Sequence, residues 1–366
     1  MNKGVSIAMS KKIRFALLGL GGVGGIIAKE LSAHPRAEIA VVCDLKKELA
    51  ERIMSEFDFQ AYYTSDWGQA IVRKDVDAVI IQTPNHLHEG PFTAALENGK
   101  HVSIQKPFAV TEKEVSNMVE EAARHPDLTT YVAQCYRLER NYKAVKEIID
   151  SGRIGEIRHI KIDYVTGYMH YWIKEMEFGA DKRWRLSADS RGMLDGGVHA
   201  FDMVRFLTGQ EAVKVYAQES APLMAEYQHS SMVSAAFSLG NGATAMVSST
   251  FGAVSPWRPS MALEIYGTKG TIRDGRLIYH DQQNGWKKQP DYHDFYAEKE
   301  ILGWPSEMTG AGHPFAAEIN HLIDCIEGKA KSLTPAWSGA HSALGVIKAM
   351  ESIKNVTPVE IPDLRK

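Results

Sequence analysis

The sequence predicts a two-part chain, a doubly wound α/β half followed by an α+β half with a large, mostly antiparallel open sheet. Three observations carry this. At 366 residues the chain exceeds one ordinary core and suits two. Its first third alternates short apolar runs with helical patterns, as a parallel sheet covered on both faces requires. After about residue 135, long alternating stretches follow one another without a helix between each pair. The expected division is 11–134 and 135–366.

Residues 13–18 form a strand-like run that ends at Gly19, and 23–31 read as a helix stopped before His34-Pro35. Residues 39–43 form a second run ending at Asp44, with a helix expected over 46–57. The near-continuous apolar run 78–82 closes on Thr83-Pro84-Asn85. A helix over 90–97, a strand over 101–105 halted by Lys106-Pro107, a helix over 112–124 and a strand over 130–134 complete the first half. In the second half the candidate strands are 157–165, 213–218, 231–239, 243–251, 263–267 and 271–280. Gly240-Asn241-Gly242 between two of them is a hairpin signal, because Gly and Asn tolerate the positive φ of tight turns. Helices over 142–151, 198–207, 315–327 and 339–353 are expected to cover one face of that sheet. The strands carry apolar residues on both parities, as in Val233, Ala235, Ala236 and Phe237, so the other face is expected to seek a partner and give a homodimer or homotetramer.

A net charge of −3, with 24% charged residues, gives no electrostatic reason to expect nucleic acid or an anionic membrane as partner. Cys43, Cys135 and Cys325 are far apart and in no CxxC spacing, so neither a disulfide framework nor a metal site is expected. No apolar run reaches the roughly 18 residues of a membrane span. The first ten residues show no export signal, so a cytoplasmic protein is expected.

Gly19-Leu20-Gly21-Gly22-Val23-Gly24 fits GxGxxG between the first strand and the first helix. In that context Gly19 permits a tight turn, Gly21 admits a pyrophosphate and Gly24 lets helix and strand pack closely. Gly22 and Val23 open the helix, whose N–H groups face the anion. Asp44, after the second run, can accept hydrogen bonds from ribose hydroxyls and repels a 2′-phosphate, which favours NAD, with NADP possible through Lys46 and Lys47. The same aspartate also sits where it can cap the helix that follows. Thr83, Asn85 and His88 follow the third run, at the carboxyl edge where the nicotinamide end is expected; His88 is equally placed as a helix cap.

Three further segments stand in order: Thr83-Pro84-Asn85-His86-Leu87-His88, then Gly99 through Gln105-Lys106-Pro107, then Gly192-Met193-Leu194-Asp195-Gly196-Gly197-Val198-His199. With the glycine fingerprint ahead of them, the chain resembles the glucose-fructose oxidoreductase and inositol dehydrogenase family, written Gfo/Idh/MocA, over nearly its whole length. The resemblance implies a Rossmann domain, NAD(P) and hydride transfer to or from a hydroxyl-bearing carbon of a sugar or cyclic polyol. It also implies Lys106, Asp195 and His199 around the reacting hydroxyl, as catalytic and substrate-binding residues. Those types suit the chemistry, since a carbinol that gives up hydride must also lose a proton, which calls for a base and a group that tolerates charge growing on oxygen. Four apart, Asp195 and His199 share a helix face if the helix starts at Gly196-Gly197, and the histidine, with an ordinary pKa near 6.5, is the expected acid/base. One departure stands beside Lys106: Gln105 replaces the family glutamate, and a neutral amide, expected to lie against the cofactor, cannot offset the ammonium charge.

Substrate contacts are expected from the aromatic stretch of Tyr164, Tyr168, His170, Tyr171, Trp172, Trp184 and Arg185, with Tyr168 and Arg185 foremost. Asp202 and Arg205 are expected to brace their helix. The competing enzymatic reading is an NAD-dependent glycoside hydrolase that oxidises transiently and eliminates. A regulatory protein without chemistry would have lost the Lys/Asp/His set, which is intact.

Overall fold

The computed structural model describes residues 12–167, 193–221, 232–253, 260–273, 275–280, 296–301 and 313–365. Tyr168 and Arg185, with the aromatics from His170 to Trp184, lie outside them. The chain forms two units, each discontinuous in sequence. The first takes Met1–Gln105, Asn117–Ala133 and Phe315–Ala336; the second takes Lys106–Ser116, Gln134–Pro314 and Trp337–Lys366.

In the first unit β1 (Ile13–Leu18), β2 (Ala37–Cys43), β3 (Tyr62–Thr64), β4 (Ala78–Ile81), β5 (His101–Ile104) and β6 (Thr130–Val132) form a parallel sheet of order β3-β2-β1-β4-β5-β6. That is the doubly wound order, whose direction reverses between β1 and β4 and leaves a crevice at their carboxyl ends. Apolar runs with no polar parity explain β1 and β4, since Phe15, Leu17, Val79 and Ile81 are all buried. α1 (Gly22–Ser32) turns Ile27, Ala28 and Leu31 onto this sheet.

The helix Phe315–Ile326 corrects an expectation. Its apolar face does not cover the second sheet; Ile319, Leu322 and Ile323 complete the core of the first, beside Ile27 and Leu31 of α1. Burial of each such side chain contributes roughly 1.5–3 kcal/mol. Polar ties agree, with Arg36 Nη1 donating to Asp324 at 2.7 Å and to Glu327 at 2.5 Å. An amphipathic pattern says that one face is buried, and not against which sheet.

The second unit is built on a mixed sheet: β7 (Ile157–Val165), β8 (Ala212–Glu219), β9 (Met232–Leu239), β10 (Thr244–Thr250), β11 (Ser260–Gly267), β12 (Gly270–Arg273), β13 (Arg276–His280), β14 (Tyr296–Glu300) and β15 (Val359–Glu360). Its order is β14-β13-β12-β11-β7-β10-β9-β8-β15. β7 runs antiparallel to β11 and parallel to β10, the departure from an otherwise antiparallel ladder. The Gly240-Asn241-Gly242 hairpin forms as expected, with Gly242 at φ +84° and Ser238 opposite Thr244.

One face of this sheet carries α2 (Val198–Thr208), which packs on β7 and β10. Phe201 stacks on Phe237 at 4.4 Å. Gly345 of the helix Ala336–Asn355 lies so close that a Cβ there would stand 2.0 Å from the Phe201 ring. Asp202 and Arg205 do brace α2. Arg137 binds both Asp202 oxygens at 2.7 Å, Ser342 donates to the same carboxylate at 2.7 Å, and Arg205 pairs with Glu211 at 2.6 Å.

The opposite face departs from the apolar surface expected. Val233, Ala235 and Phe237 all turn inward, and only Ala236 of the four residues cited faces out. A cross-strand row on that outer face runs Tyr216, Ala236, Met246, Lys161, Glu264 and Arg273, apolar at one end and charged at the other. Among the described residues no helix is long and apolar enough to cross a membrane.

Candidate active site

The glycine loop leaves the carboxyl end of β1 at the reversal of strand order. Gly19 has φ +89°, and a Cβ on it would stand 2.7 Å from the Gln82 carbonyl oxygen, so glycine is required twice over. Gly24 lies tight against the Gly19 carbonyl, as close helix-to-strand packing demands. Around Gly21 and Gly22 the space is open, and with Val23 these residues form the first turn of α1, whose N–H groups suit an anion. Asp44 follows β2. Its Oδ2 accepts from the Leu20 amide at 2.8 Å and its Oδ1 from the Lys46 amide at 2.9 Å. The residue at the helix N-cap is Lys46, so Asp44 braces the glycine loop and the turn before the helix rather than capping it. Each carboxylate oxygen keeps a further lone pair for a ribose hydroxyl. These features fit a dinucleotide.

At the end of β4, Asn85 is buried in a single 3₁₀ turn, Asn85–Leu87. The buried His88 places Nε2 3.2 Å from the Thr83 carbonyl oxygen, and its side chain makes no capping bond to the helix it precedes. Thr83 Oγ1 is buried with no hydrogen-bond partner among the described residues. Gln105 donates from Nε2 to Gln82 Oε1 at 3.0 Å, a neutral amide pair.

Lys106, Asp195 and His199 gather in the second unit. Lys106 Nζ donates to the Asp195 carbonyl oxygen at 2.7 Å and forms an ion pair with Asp195 Oδ1. The peptide between Lys106 and Pro107 is cis. Asp195 does not stand on the α-helix with His199, as the four-residue spacing suggests. It occupies a π-helical turn, Met193–Gly197, and the α-helix begins at Val198. Such turns often occur at functional sites. Gly196 permits this one, since a Cβ there would meet the Tyr164 ring at 2.7 Å.

His199 is 2% exposed. Its Nδ1 lies 3.1 Å from Gln134 Oε1, while Nε2 is buried with no partner among the described residues. Tyr136 meets the ring edge-on at 4.9 Å and Tyr164 stacks on it at 5.7 Å. Burial first, then the charges of Lys106 and His313, hold its pKa well below the ordinary 6.5, a correction to the unperturbed value assumed. Burial likewise pushes His313 down to about 4.

Gln134, Tyr136 and His313 were not anticipated. Gln134 stands just beyond the carboxyl end of β6, an edge at which site residues are expected, so its position was a usable signal. Tyr136 follows in the 3₁₀ turn Cys135–Leu138. His313, with Nδ1 3.5 Å from Cys135 Sγ, is brought in from far along the chain and has no local pattern.

Residues 13–133 match the family model described as "Oxidoreductase family, NAD-binding Rossmann fold", and residues 142–273 match the "GFO/IDH/MocA C-terminal domain". The chain is 26% identical over 358 residues to scyllo-inositol 2-dehydrogenase (NAD(+)) of Bacillus subtilis, covering 96% of this chain and 97% of that one. In fold it is similar to scyllo-inositol dehydrogenase from Lactobacillus casei solved with NAD(H) and scyllo-inositol, at TM-score 0.76 and 20% identity over 96% of this chain and 99% of that one. It is also similar to levoglucosan dehydrogenase solved with NADH and levoglucosan, at TM-score 0.78 and 24% identity over 97% and 100% of the two chains. Through both of its halves the chain belongs to the Gfo/Idh/MocA oxidoreductase family, with an NAD-binding Rossmann fold at its N-terminal end.

Proposed function

We propose that this protein is an NAD-dependent dehydrogenase that oxidises a hydroxyl-bearing carbon of a sugar or cyclic polyol, working in the cytoplasm as a homo-oligomer. The observation that carries the reading is the buried Nε2 of His199, without a hydrogen-bond partner among the described residues, in the same unit as the Lys106–Asp195 pair. A basic nitrogen and an oriented ammonium are the two groups a carbinol oxidation needs.

Bound NAD supplies the hydride acceptor. The glycine loop from Gly19 to Gly24 would hold its pyrophosphate and Asp44 its ribose, with Thr83, Asn85, His88 and Gln105 toward the nicotinamide end. Lys106, held by both the carbonyl and the carboxylate of Asp195, donates a hydrogen bond to the substrate hydroxyl oxygen and stabilises the negative charge that grows there. His199 Nε2 takes the hydroxyl proton, so the alcohol becomes a carbonyl with one proton left on the imidazole. Tyr168 and Arg185 are the proposed substrate contacts beyond this set.

The test is a spectrophotometric screen of inositols, aldoses, amino sugars and anhydro-sugars with NAD and with NADP. Net formation of reduced nicotinamide, faster with NAD, is the expected result. Glycoside cleavage without net NAD reduction would instead establish the redox-assisted hydrolase.

Asp44→Asn tests cofactor choice more cleanly than Ala, because Asn keeps an acceptor for the Leu20 amide while removing the charge. The ratio of kcat/KM for NAD over NADP should fall by about tenfold or more, the size of one charged hydrogen bond. An unchanged ratio would reduce Asp44 to a loop brace.

The outer row from Tyr216 to Arg273 supports assembly through the sheet, because its apolar end leaves Ala236 exposed and Tyr216 and Met246 only half-buried. Light scattering should give a dimer or tetramer, and Ala236→Arg at the middle of the apolar end should lower the mass. A wild-type monomer at micromolar concentration would refute this.

A further inference from the structure

His199 and Gln134 are each 2% exposed, and their contact joins Nδ1 to Oε1 at 3.1 Å. A carboxamide oxygen only accepts, so this contact requires the ring proton on Nδ1 and leaves the lone pair on Nε2. Gln134 Nε2, like His199 Nε2, has no partner among the described residues, and the amide turns its accepting oxygen to the ring.

We infer that Gln134 is a positioning residue that holds His199 in the Nδ1–H tautomer and so keeps Nε2 bare to receive the substrate proton. The inference rests on the reading of His199 as the base.

The choice of an amide has a consequence of its own. A carboxylate in this place would also orient the ring, but it would stabilise the imidazolium and raise the histidine's pKa. Among the described residues the groups that face His199 are Lys106 and His313, which disfavour a charge on it, Asp195 paired to Lys106, and the rings of Tyr136 and Tyr164. Gln134 adds a hydrogen bond to that set without adding charge, so the ring stays neutral and ready through the neutral range. The 3₁₀ turn that starts after Gln134 also sets Tyr136 edge-on to the same ring, which limits its rotation.

The experiment compares Gln134→Met, which keeps length and loses the acceptor, with Gln134→Glu, which keeps shape and adds charge, beside His199→Asn. Gln134→Met should lower kcat tenfold or more with KM and NADH affinity within twofold. Gln134→Glu should move the acid limb of kcat/KM upward by about one pH unit or more. Nitrogen-15 NMR of the wild type should show a protonated Nδ1 and a bare Nε2 for His199, assigned by the signal missing in His199→Asn. An Nε2–H tautomer in that spectrum, or an inactive His199→Asn beside a Gln134→Met of unchanged kcat, overturns the inference while leaving the base assignment in place. A fully active His199→Asn removes the base assignment instead, and the spectrum then decides alone whether Gln134 sets the tautomer. If Gln134→Met melts early and cannot be assayed, Gln134→Glu and the wild-type spectrum decide, and an acid limb unmoved by Gln134→Glu counts against the inference.

Discussion

His199→Asn is expected to lower turnover by roughly a hundredfold or more while cofactor affinity stays within about twofold. Asparagine keeps a polar side chain of similar reach and cannot take up a proton near neutrality, so the change separates chemistry from packing. The wild-type ring is held neutral by burial and by Lys106, with its pKa well below 6.5. The base form therefore persists as the pH falls past 6.5, and the acid limb of the rate profile should lie below that value. Stability moves the other way. The unfolded chain protonates this histidine near its ordinary 6.5 while the folded chain does not, so acidification through that range favours unfolding. That acid-side loss should shrink in His199→Asn, a second readout independent of catalysis. Near-wild-type turnover of the variant with saturating substrate across pH 6 to 9 would move the proton to another acceptor.

Lys106→Met should be at least as severe, at roughly a hundred- to thousandfold in kcat, because it removes the donor to the developing alkoxide. It also breaks the ion pair with Asp195, whose side chain is only 7% exposed, and removing one partner of a buried ion pair costs about 3–5 kcal/mol. Thermal melting must accompany the kinetics, and Lys106→Met combined with Asp195→Asn should recover much of the stability without recovering the rate. Since Lys106 and His199 serve one transition state, the double variant Lys106→Met with His199→Asn should be little slower than the poorer single one. Losses that multiply in full would place the two residues in separate steps.

What could be read beforehand follows from range. The glycine loop, Asp44 and the apolar runs of β1 and β4 are local signals, and their arrangement holds in the structure. Lys106, Asp195 and His199 were found through ordered motifs, and they do meet in one unit. The π-helical turn under Asp195 was not legible, because a glycine pair announces a bend without saying how many residues the turn holds. Nor was His313 or the seat of the helix Phe315–Ile326, since both depend on contacts between distant parts of the chain. The outer face of β9 is hard to read from sequence for a simpler reason. Alanine and serine are small enough to suit either side of a strand, so their parity carries little information.

The placement of that helix bears on how the protein is made. Arg36 finds its partner Asp324 across 288 residues of sequence, and the core around α1 waits for Ile319, Leu322 and Ile323. At roughly 5–20 residues per second on the ribosome, that interval is about 15–60 s. For about the last 10–40 s of it, after β6 ends at Val132, the nucleotide-binding sheet has been synthesised but one flank of its core is bare. A fragment ending at residue 133 lacks Ile319, Leu322 and Ile323 of this core, so it should aggregate rather than fold as a free-standing domain.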